Sequence, residues 1–264
     1  NREVLRVTAV PTGETETKNI GYVIVLKNIT QFRELDLAKT NFIATVSHEL
    51  KTPIASIKMS LNLLDDTRVG KLNEEQEKLV AYIRNETKRL LNITGELLDM
   101  AQVETGKITL DIHPVNPKEI VDYALKAVVT SATEKQINLQ LKIDENLPMV
   151  AADAEKTAWV LINLLSNAIR YAPEKSDVDV SVSLRGNDLC FLVRDYGIGI
   201  PEEYKARIFE KYFRAPGVKT EGSGLGLAIA KEFMESQNGT VGVSSEPGKG
   251  SAFWFTLPVH NSPG

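Results

Sequence analysis

Apolar positions recur at helical spacing through much of the first hundred residues, and after that they fall into short alternating runs. Counted at about 100° per residue, Ile43, Val46, Leu50, Ile54, Ile57, Leu61 and Leu64 share one stripe of a helix expected from about Gln31 to Asp65. Of these, Ile43, Leu50, Ile57 and Leu64 repeat every seventh residue. The stretch DDTRVGKLN breaks the pattern, and a second helix is expected from about Asn73 to Glu104. In it Ile83, Leu90 and Leu97 alternate with Leu79, Ile93 and Met100 at a and d spacing, with Glu86 the polar member of the seam. Two such helices on a short loop make an antiparallel hairpin whose stripe stays half uncovered. Pairing two hairpins into a four-helix bundle covers it, so a homodimer is expected.

Ahead of the hairpin, EVLRVTAVP and IGYVIVLKN read as strands flanking the polar turn TGETETKN. Such a ribbon is too small to close a core and looks like the tail of a cut domain. Beyond the polar link TGKITLDIHPVNP, helices at about Pro117 to Lys135, Glu155 to Tyr171 and Leu225 to Gln237 interleave with strands. The strands fall near Ile137 to Ile143, Val178 to Leu184, Leu189 to Val193, Thr240 to Ser245 and Ser251 to Leu257. The expected fold class is therefore multidomain, α and α+β: residues 1–30 a truncated tail, 31–110 an antiparallel helical hairpin, and 111–264 an α/β sandwich of one mixed sheet with a helical layer.

Composition narrows the function. With 264 residues, 42% of them hydrophobic and 25% charged, the chain is globular and long enough for two domains with cores. A net charge of −4 and the lack of a long Lys/Arg block argue against nucleic acid as partner. Cys190, in the run LCFLV, reads as a buried strand residue in a reducing compartment. No run approaches the ~18 apolar residues of a membrane span, and no signal peptide is visible. The chain begins at Asn1, not Met, and is expected to be a piece of something longer. The expected location of this portion is cytoplasmic, with any inner-membrane anchor in a segment absent from it.

The first candidate for chemistry is His48. A lone helical histidine is more often structural than reactive, but that reading puts the ring in a core, and here the periodicity points it opposite the apolar stripe. Glu49 is adjacent and Thr52 lies one turn further on the same outer face, so an acceptor, a base and a hydroxyl are grouped. Pro53 then removes a backbone donor and is expected to bend the helix.

Three constellations follow in the second half. In GSGLGLAIAKEF, Gly222, Gly224 and Gly226 precede a helix whose free N–H groups and dipole would receive phosphate. The spacing is neither Walker A nor Rossmann, and taken alone it is as readily a flexible loop. In VRDYGIGIP, Asp195 ends a strand before Gly197 and Gly199, where a carboxylate would accept a hydrogen bond from an exocyclic amine, or the segment is a plain turn. In WVLINLLSNAIRYAP, Asn163 and Asn167 share a helix face flanked by apolar residues. Buried amides are costly unless satisfied, and amide oxygens suit Mg²⁺, a hard cation. Arg170 and Tyr171 follow, a phosphate contact and an aromatic face. Core asparagines are the plain alternative, but three nucleotide-shaped signals in order favour a nucleotide.

Taken together the motifs resemble those of a sensor histidine kinase of two-component signalling. SHELKTP is similar to the family's H box, NLLSNA to its N box, DYGIG to its G1 box, IFEKYF to its F box and GSGLGL to its G2 box, all in family order across residues 31 to 258. The resemblance implies a dimerisation and histidine-phosphotransfer hairpin followed by a Bergerat-type ATP-binding sandwich like that of gyrase, mismatch-repair and chaperone ATPases. Residues 1–30 resemble the end of a PAS sensor domain, which commonly closes on Asp-Ile-Thr, here Asn28-Ile29-Thr30. The likeness implies His48 as phosphoacceptor, Glu49 as its general base and Thr52 as assisting dephosphorylation of the partner. It further implies that Asp195 reads the adenine amine, that Asn167 holds Mg²⁺ with Asn163 in support, and that Arg170 with Lys211 or Arg214 contacts phosphates. Trp159 and Lys156 depart from the family's habits outside these motifs.

The implied cofactors are ATP and Mg²⁺, and the implied partners a second copy and the receiver domain of a response regulator. The chemistry agrees, since a neutral imidazole is a nucleophile and phosphoryl transfer relies on in-line positioning and charge neutralisation. One rival is a gyrase- or chaperone-type ATPase switch, which usually carries a glutamate base where Asn163 stands. The other is a non-catalytic dimeric scaffold, which the intact glycines, Asp195 and both asparagines oppose.

Overall fold

A computed structural model describes residues 5–12, 21–66, 68–104, 108–216 and 223–260. By internal contacts the chain divides into two compact units, Asn1–Lys107 and Ile108–Gly264.

The first unit begins with a ribbon of β1, Leu5–Thr12, and β2, Gly21–Asn28, antiparallel in register from Leu5 opposite Asn28 to Thr12 opposite Gly21. The turn expected between them lies outside the described residues. Leu5, Val7, Ile24 and Leu26 stay exposed, so the ribbon closes no core. The side chain of Asn28 then starts the first long helix, accepting from Thr30 N at 3.0 Å and from its hydroxyl at 2.7 Å.

That helix, α1, runs unbroken through Pro53 from Thr30 to Leu64, and α2 spans Glu74–Glu104. A reciprocal capping box opens α2: Asn73 Oδ1 accepts from Gln76 N and Gln76 Oε1 from Asn73 N, both at 2.9 Å. Glu74, Glu75 and Glu77 sit in its first turn, where the helix dipole favours negative charge. Across the loop, Arg84 holds Asp65 at 2.6 Å.

Burial divides the apolar stripe of α1. Ile54 and Leu61 are buried, with Ser47 one heptad earlier, whereas Val46, Leu50, Ile57 and Leu64 are exposed. The two sets form adjacent flanks about 60° apart on the helix. Of the expected seam of α2, Met100 is buried, but the N-terminal part needs correction, because Leu79, Ile83 and Leu90 are exposed and the residues buried in its first six turns are Val80, Thr87 and Thr94. In a two-helix hairpin that burial comes from α1. The threonines tolerate it because each hydroxyl donates to its own helix, Thr87 to Ile83 O at 2.7 Å and Thr94 to Leu90 O at 3.0 Å. Leu79, Ile83 and Leu90 and the exposed flank of α1 are together apolar surface that one chain leaves uncovered.

In the second unit the elements are β3 (His113–Val115), α3 (Pro117–Glu134), β4 (Asn138–Ile143), β5 (Val150–Ala152), α4 (Ala154–Tyr171), β6 (Asp177–Arg185), β7 (Asp188–Asp195), α5 (Glu202–Lys205), α6 (Gly226–Glu235), β8 (Thr240–Glu246) and β9 (Gly250–Pro258). The main sheet is mixed, in the order β4-β6-β7-β9-β8, with only the β4–β6 pair parallel. The small β3–β5 sheet is tied to the end of β9 through Val150 opposite Val259. Helices α3, α4 and α6 form the layer, α4 between the other two and over β7. Alternation along β6 turns Val178, Val180 and Val182 inward, and Phe191 stacks on Phe255 directly across the β7–β9 register at 4.7 Å. Asn116 caps α3 ahead of Pro117, and Asp153 caps α4 through Lys156 N at 3.0 Å. At the other end of α4 the Lys135 ammonium donates to Ile169 O at 2.9 Å and Arg170 O at 2.7 Å. The strands β3 and β5 and the helix α5 were not expected: three or four residues carry too little period to read.

One buried amide joins the ends of two helices. Gln237, 2% exposed, accepts from Asp153 N at 2.7 Å and from Thr157 Oγ1 at 3.3 Å, and donates to Phe233 O at 3.0 Å. Gln237→Ala leaves a buried N–H and a buried hydroxyl without their partner, at a cost of about 2 to 4 kcal/mol. Thermal unfolding should show the second unit melting several degrees lower, and an unchanged transition would contradict the role given to this amide.

Candidate active site

The first unit presents a solvent-facing cluster on α1. His48 and Glu49 have side chains 80% and 77% exposed, with His48 Nδ1 at 3.7 Å from Glu49 Oε1. Thr52 is exposed one turn on, and its carbonyl accepts from Ser56 Oγ at 3.2 Å. Pro53 has no N–H to give the Glu49 carbonyl, so the helix loses one rung beside the histidine. Among the described residues nothing on this face is buried.

The second unit places its candidates at the meeting of α4, α6 and the turn after β7. Asn163 and Asn167 lie on one face of α4, and Asn167 Nδ2 donates to Asn163 Oδ1 at 3.1 Å. That bond commits the amide nitrogen of Asn167 and leaves its Oδ1 to face a ligand, the atom a hard cation takes. Among the described residues no group of three or more His, Cys, Asp or Glu could hold a metal, so an ion here fits only as a companion of phosphate oxygens. A Cβ on Gly226 would overlap Asn163 Nδ2, so the absence of a side chain lets the first turn of α6 rest against the asparagine pair. No side chain caps that turn, and its N–H groups remain available to an anion. Gly224, at φ +74, accepts from Tyr212 N at 2.9 Å. Gly222 lies outside the described residues.

Asp195 is 3% exposed, and its Oδ1 accepts from Gly197 N at 2.8 Å. Burial pushes this carboxyl above its ordinary range, against the lowering pull of the amides of Gly197 and Ser251. A Cβ on Gly197 would overlap the Tyr171 carbonyl, so the turn after β7 packs on the last turn of α4. Gly199 takes φ +68 beside Glu246. The structure thus brings Asn163, Asn167 and Gly226 together at one place, and Asp195, Gly197 and the Tyr171 backbone at another. Arg170 is exposed on the last turn of α4, Tyr171 is half-buried, and Lys211 and Arg214 are exposed between α5 and α6.

Sequence reasoning missed Gly250 and Ser251 at the start of β9. Gly250, at φ +86, lies against the Asp195 carbonyl, and the amide of Ser251 hydrogen-bonds the Asp195 carboxyl. The signal available was the turn EPGKGS, read only as a strand boundary.

An exposed histidine on a helical hairpin, and an α/β sandwich with paired amides, a buried aspartate and a glycine-flanked helix start, are the two candidate parts of the site. Residues 38–106 match the His Kinase A (phospho-acceptor) domain, and residues 152–261 match the histidine kinase-, DNA gyrase B- and HSP90-like ATPase. The alginate biosynthesis sensor protein KinB of Pseudomonas aeruginosa is 29% identical over 91% of this chain and 40% of that protein. Drug sensory protein A of Synechocystis sp. is 32% identical over 92% of this chain and 38% of its own length. Among solved structures, full-length ShkA in complex with AMPPNP aligns over 84% of this chain and 47% of its own, at 30% identity and a TM-score of 0.69. The chain belongs to the sensor histidine kinases. It spans about two fifths of the length of the two curated relatives named here.

The raised carboxyl of Asp195 sets a pH dependence. An ionised Asp195 accepts a hydrogen bond from an exocyclic amine, and a protonated one loses that acceptor, so adenine-nucleotide affinity should fall as pH drops through its raised pKa. The fall should begin above the ordinary carboxylate value of 3.8. The same elevation makes the folded unit bind the proton more tightly than the unfolded chain, so Asp195 itself favours folding at low pH and less so as pH rises through its folded value. Calorimetric titration of ADP across mildly acid pH, beside Asp195→Asn, checks this: equal pH slopes for both proteins would refute it.

Proposed function

We propose that this chain is the catalytic core of a sensor kinase that moves the γ-phosphoryl group of ATP to His48 and from there to an aspartate on the receiver domain of a response regulator. The observation that carries the reading is the occurrence in one chain of an exposed histidine paired with a carboxylate and a nucleotide-shaped cradle built on Asn163, Asn167, Asp195 and Gly226. The assigned parts are the tail of a PAS-like domain in residues 1–30, the phosphotransfer hairpin in 31–110 and the ATP-binding domain in 111–264. The uncovered flank of Val46, Leu50, Ile57 and Leu64, continued by Leu79, Ile83 and Leu90, is the surface on which two hairpins pair. Among the described residues no helix is long and apolar enough to cross a membrane; the cytoplasmic placement of this portion rests on the kinase reading itself.

The residues divide the chemistry. Because Glu49 stands beside Nδ1, Nε2 is the nitrogen free to attack phosphorus. As the N–P bond forms and the bond from the γ-phosphorus to the bridging oxygen breaks, ADP leaves, and Glu49 draws the ring proton toward itself. Asp195 accepts from the adenine amine. Arg170 and Lys211 or Arg214, with the N–H groups of α6, offset phosphate charge. Asn167 would hold Mg²⁺, which would supply further charge neutralisation when bound. AMPPNP in ShkA, an ATP analogue, supports this choice of nucleotide. The opposing case of an ATPase switch lacks its base, since Asn163 is an amide whose oxygen is already engaged by Asn167.

The deciding experiment is labelling with γ-labelled ATP. His48→Gln should lose covalent label while nucleotide affinity stays within about twofold, because the two units have separate cores. Asn167→Ala should lose labelling through metal-dependent binding. Undiminished labelling of His48→Gln would sink the phosphoacceptor assignment.

A second test separates forward and reverse chemistry. The hydroxyl of Thr52 is where a water attacking the regulator's aspartyl phosphate would be held, whereas attack by His48 on ATP has no need of it. Thr52→Ala should slow removal of regulator phosphate by on the order of 10-fold and leave autophosphorylation near wild type. Parallel loss of both rates would mean that Thr52 only shapes the helix before Pro53.

A further inference from the structure

The outer face of the main sheet carries a polar cluster with no part in the mechanism above. Asp179 in β6 stands directly opposite Arg194 in β7. Tyr196, one residue past the end of β7, donates its hydroxyl to Asp179 Oδ2 at 2.6 Å. The Arg194 guanidinium carbon lies 5.1 Å from the centre of the Tyr196 ring, within cation–π range. Side chains alternate across a strand, so Arg194 and Tyr196 leave on one side of the chain and Asp195 on the other. Asp195 is 3% exposed while Tyr196 is 44% exposed, which means the tyrosine is not there to fill a core. A half-exposed aromatic ring fixed at both its face and its hydroxyl restrains the backbone it grows from.

The opposite side of the same backbone is equally restrained. Gly197 N holds Asp195 Oδ1 at 2.8 Å, and Gly250 packs against the Asp195 carbonyl and the Tyr196 Cα. The turn is therefore gripped from both faces of the sheet, and the residue between the grips is the one assigned to read the base.

We infer that Tyr196 is a positioning residue: its bond to Asp179, with Arg194 against its ring, fixes the turn so that the Asp195 carboxylate faces the adenine, and base recognition depends on a contact on the far side of the sheet. This rests on the ATP reading given above. The contacts of this turn run to the Tyr171 backbone and to β9, and those of Asn163 and Gly226 to each other, so the clamp acts on the base and not on the asparagine pair or the start of α6.

The test is calorimetric titration of the full 264-residue chain with Mg-ATP and, separately, with inorganic tripolyphosphate. Wild-type protein that fails to bind ATP more tightly than tripolyphosphate overturns the ATP reading and the clamp with it. Given that preference, Tyr196→Phe should weaken ATP binding about fivefold, the size of one lost hydrogen bond, with tripolyphosphate affinity unchanged and faster hydrogen exchange at the Gly197 amide. Asp179→Ala, which leaves the ring in place, should show the same loss, and the double variant no more than either single one. Unchanged ATP affinity in Tyr196→Phe, equal weakening toward both ligands, or losses that add in the double variant would each overturn the proposal.

Discussion

A side chain on Gly226 would overlap the Asn163 amide, and the close approach that its absence permits is the constraint on which the nucleotide-binding unit depends. It sets the first turn of α6, with uncapped N–H groups, beside the helix that carries the asparagine pair. Once α4 and α6 are locked at that distance, the rest of the layer follows. Gln237 at the far end of α6 reaches the start of α4 through Asp153 and Thr157, so α6 is joined to α4 at both of its own ends. Between those joints Trp159 meets Phe233 edge-on at 5.5 Å. The last turn of α4 is then held by Lys135 and supports Gly197 in the turn after β7. A single helix thereby carries the asparagine pair and supports the turn after Asp195 at its end.

The hairpin obeys a different economy of surface. Two helices of about thirty residues bury one flank against each other and leave a second flank exposed, because a stripe as wide as that of α1 cannot be covered by one neighbour. The histidine avoids both flanks. A phosphoacceptor must be reached first by nucleotide and then by another protein, and a helix whose two apolar flanks are committed to packing offers only its opposite face for that traffic.

The long elements were legible in the sequence, their bounds agreeing within one or two residues for α1, α2, α3 and α4. Helix periodicity over five turns or more is a strong signal, and alternation across β6, β7 and β9 is nearly as clear. The N-terminal part of the α2 seam was not legible, because the residues buried in its first six turns include Thr87 and Thr94, whose hydroxyls read as polar until the structure shows them bonded to their own helix. Of the predicted a and d residues Met100 is buried, and Leu79, Ile83 and Leu90 lie on the exposed flank instead. Around the candidate site, the asparagines, Asp195 and the glycines were visible as residue types. What they touch was not. The contact of Gly197 with the Tyr171 carbonyl, and the approach of Gly250 to Asp195 from β9, link positions too far apart in sequence for any local pattern to report.

The two neighbours of Asp195 show how a strand can divide labour by face. Burial raises the cost of ionising that carboxyl, yet an ionised form is the better acceptor for an amine. The amides of Gly197 and Ser251 offset part of that cost, and they do so only while the turn keeps its geometry. A carboxylate stabilised by backbone N–H groups is sensitive to small displacements, since such hydrogen bonds weaken steeply with angle. Rigidity of the turn is therefore a requirement of the charge, and on the inner side it comes from the Gly197 amide and the close packing of Gly250. Glycines supply no side chains, so any side-chain restraint on the turn comes from the outer face, where Tyr196, Asp179 and Arg194 stand.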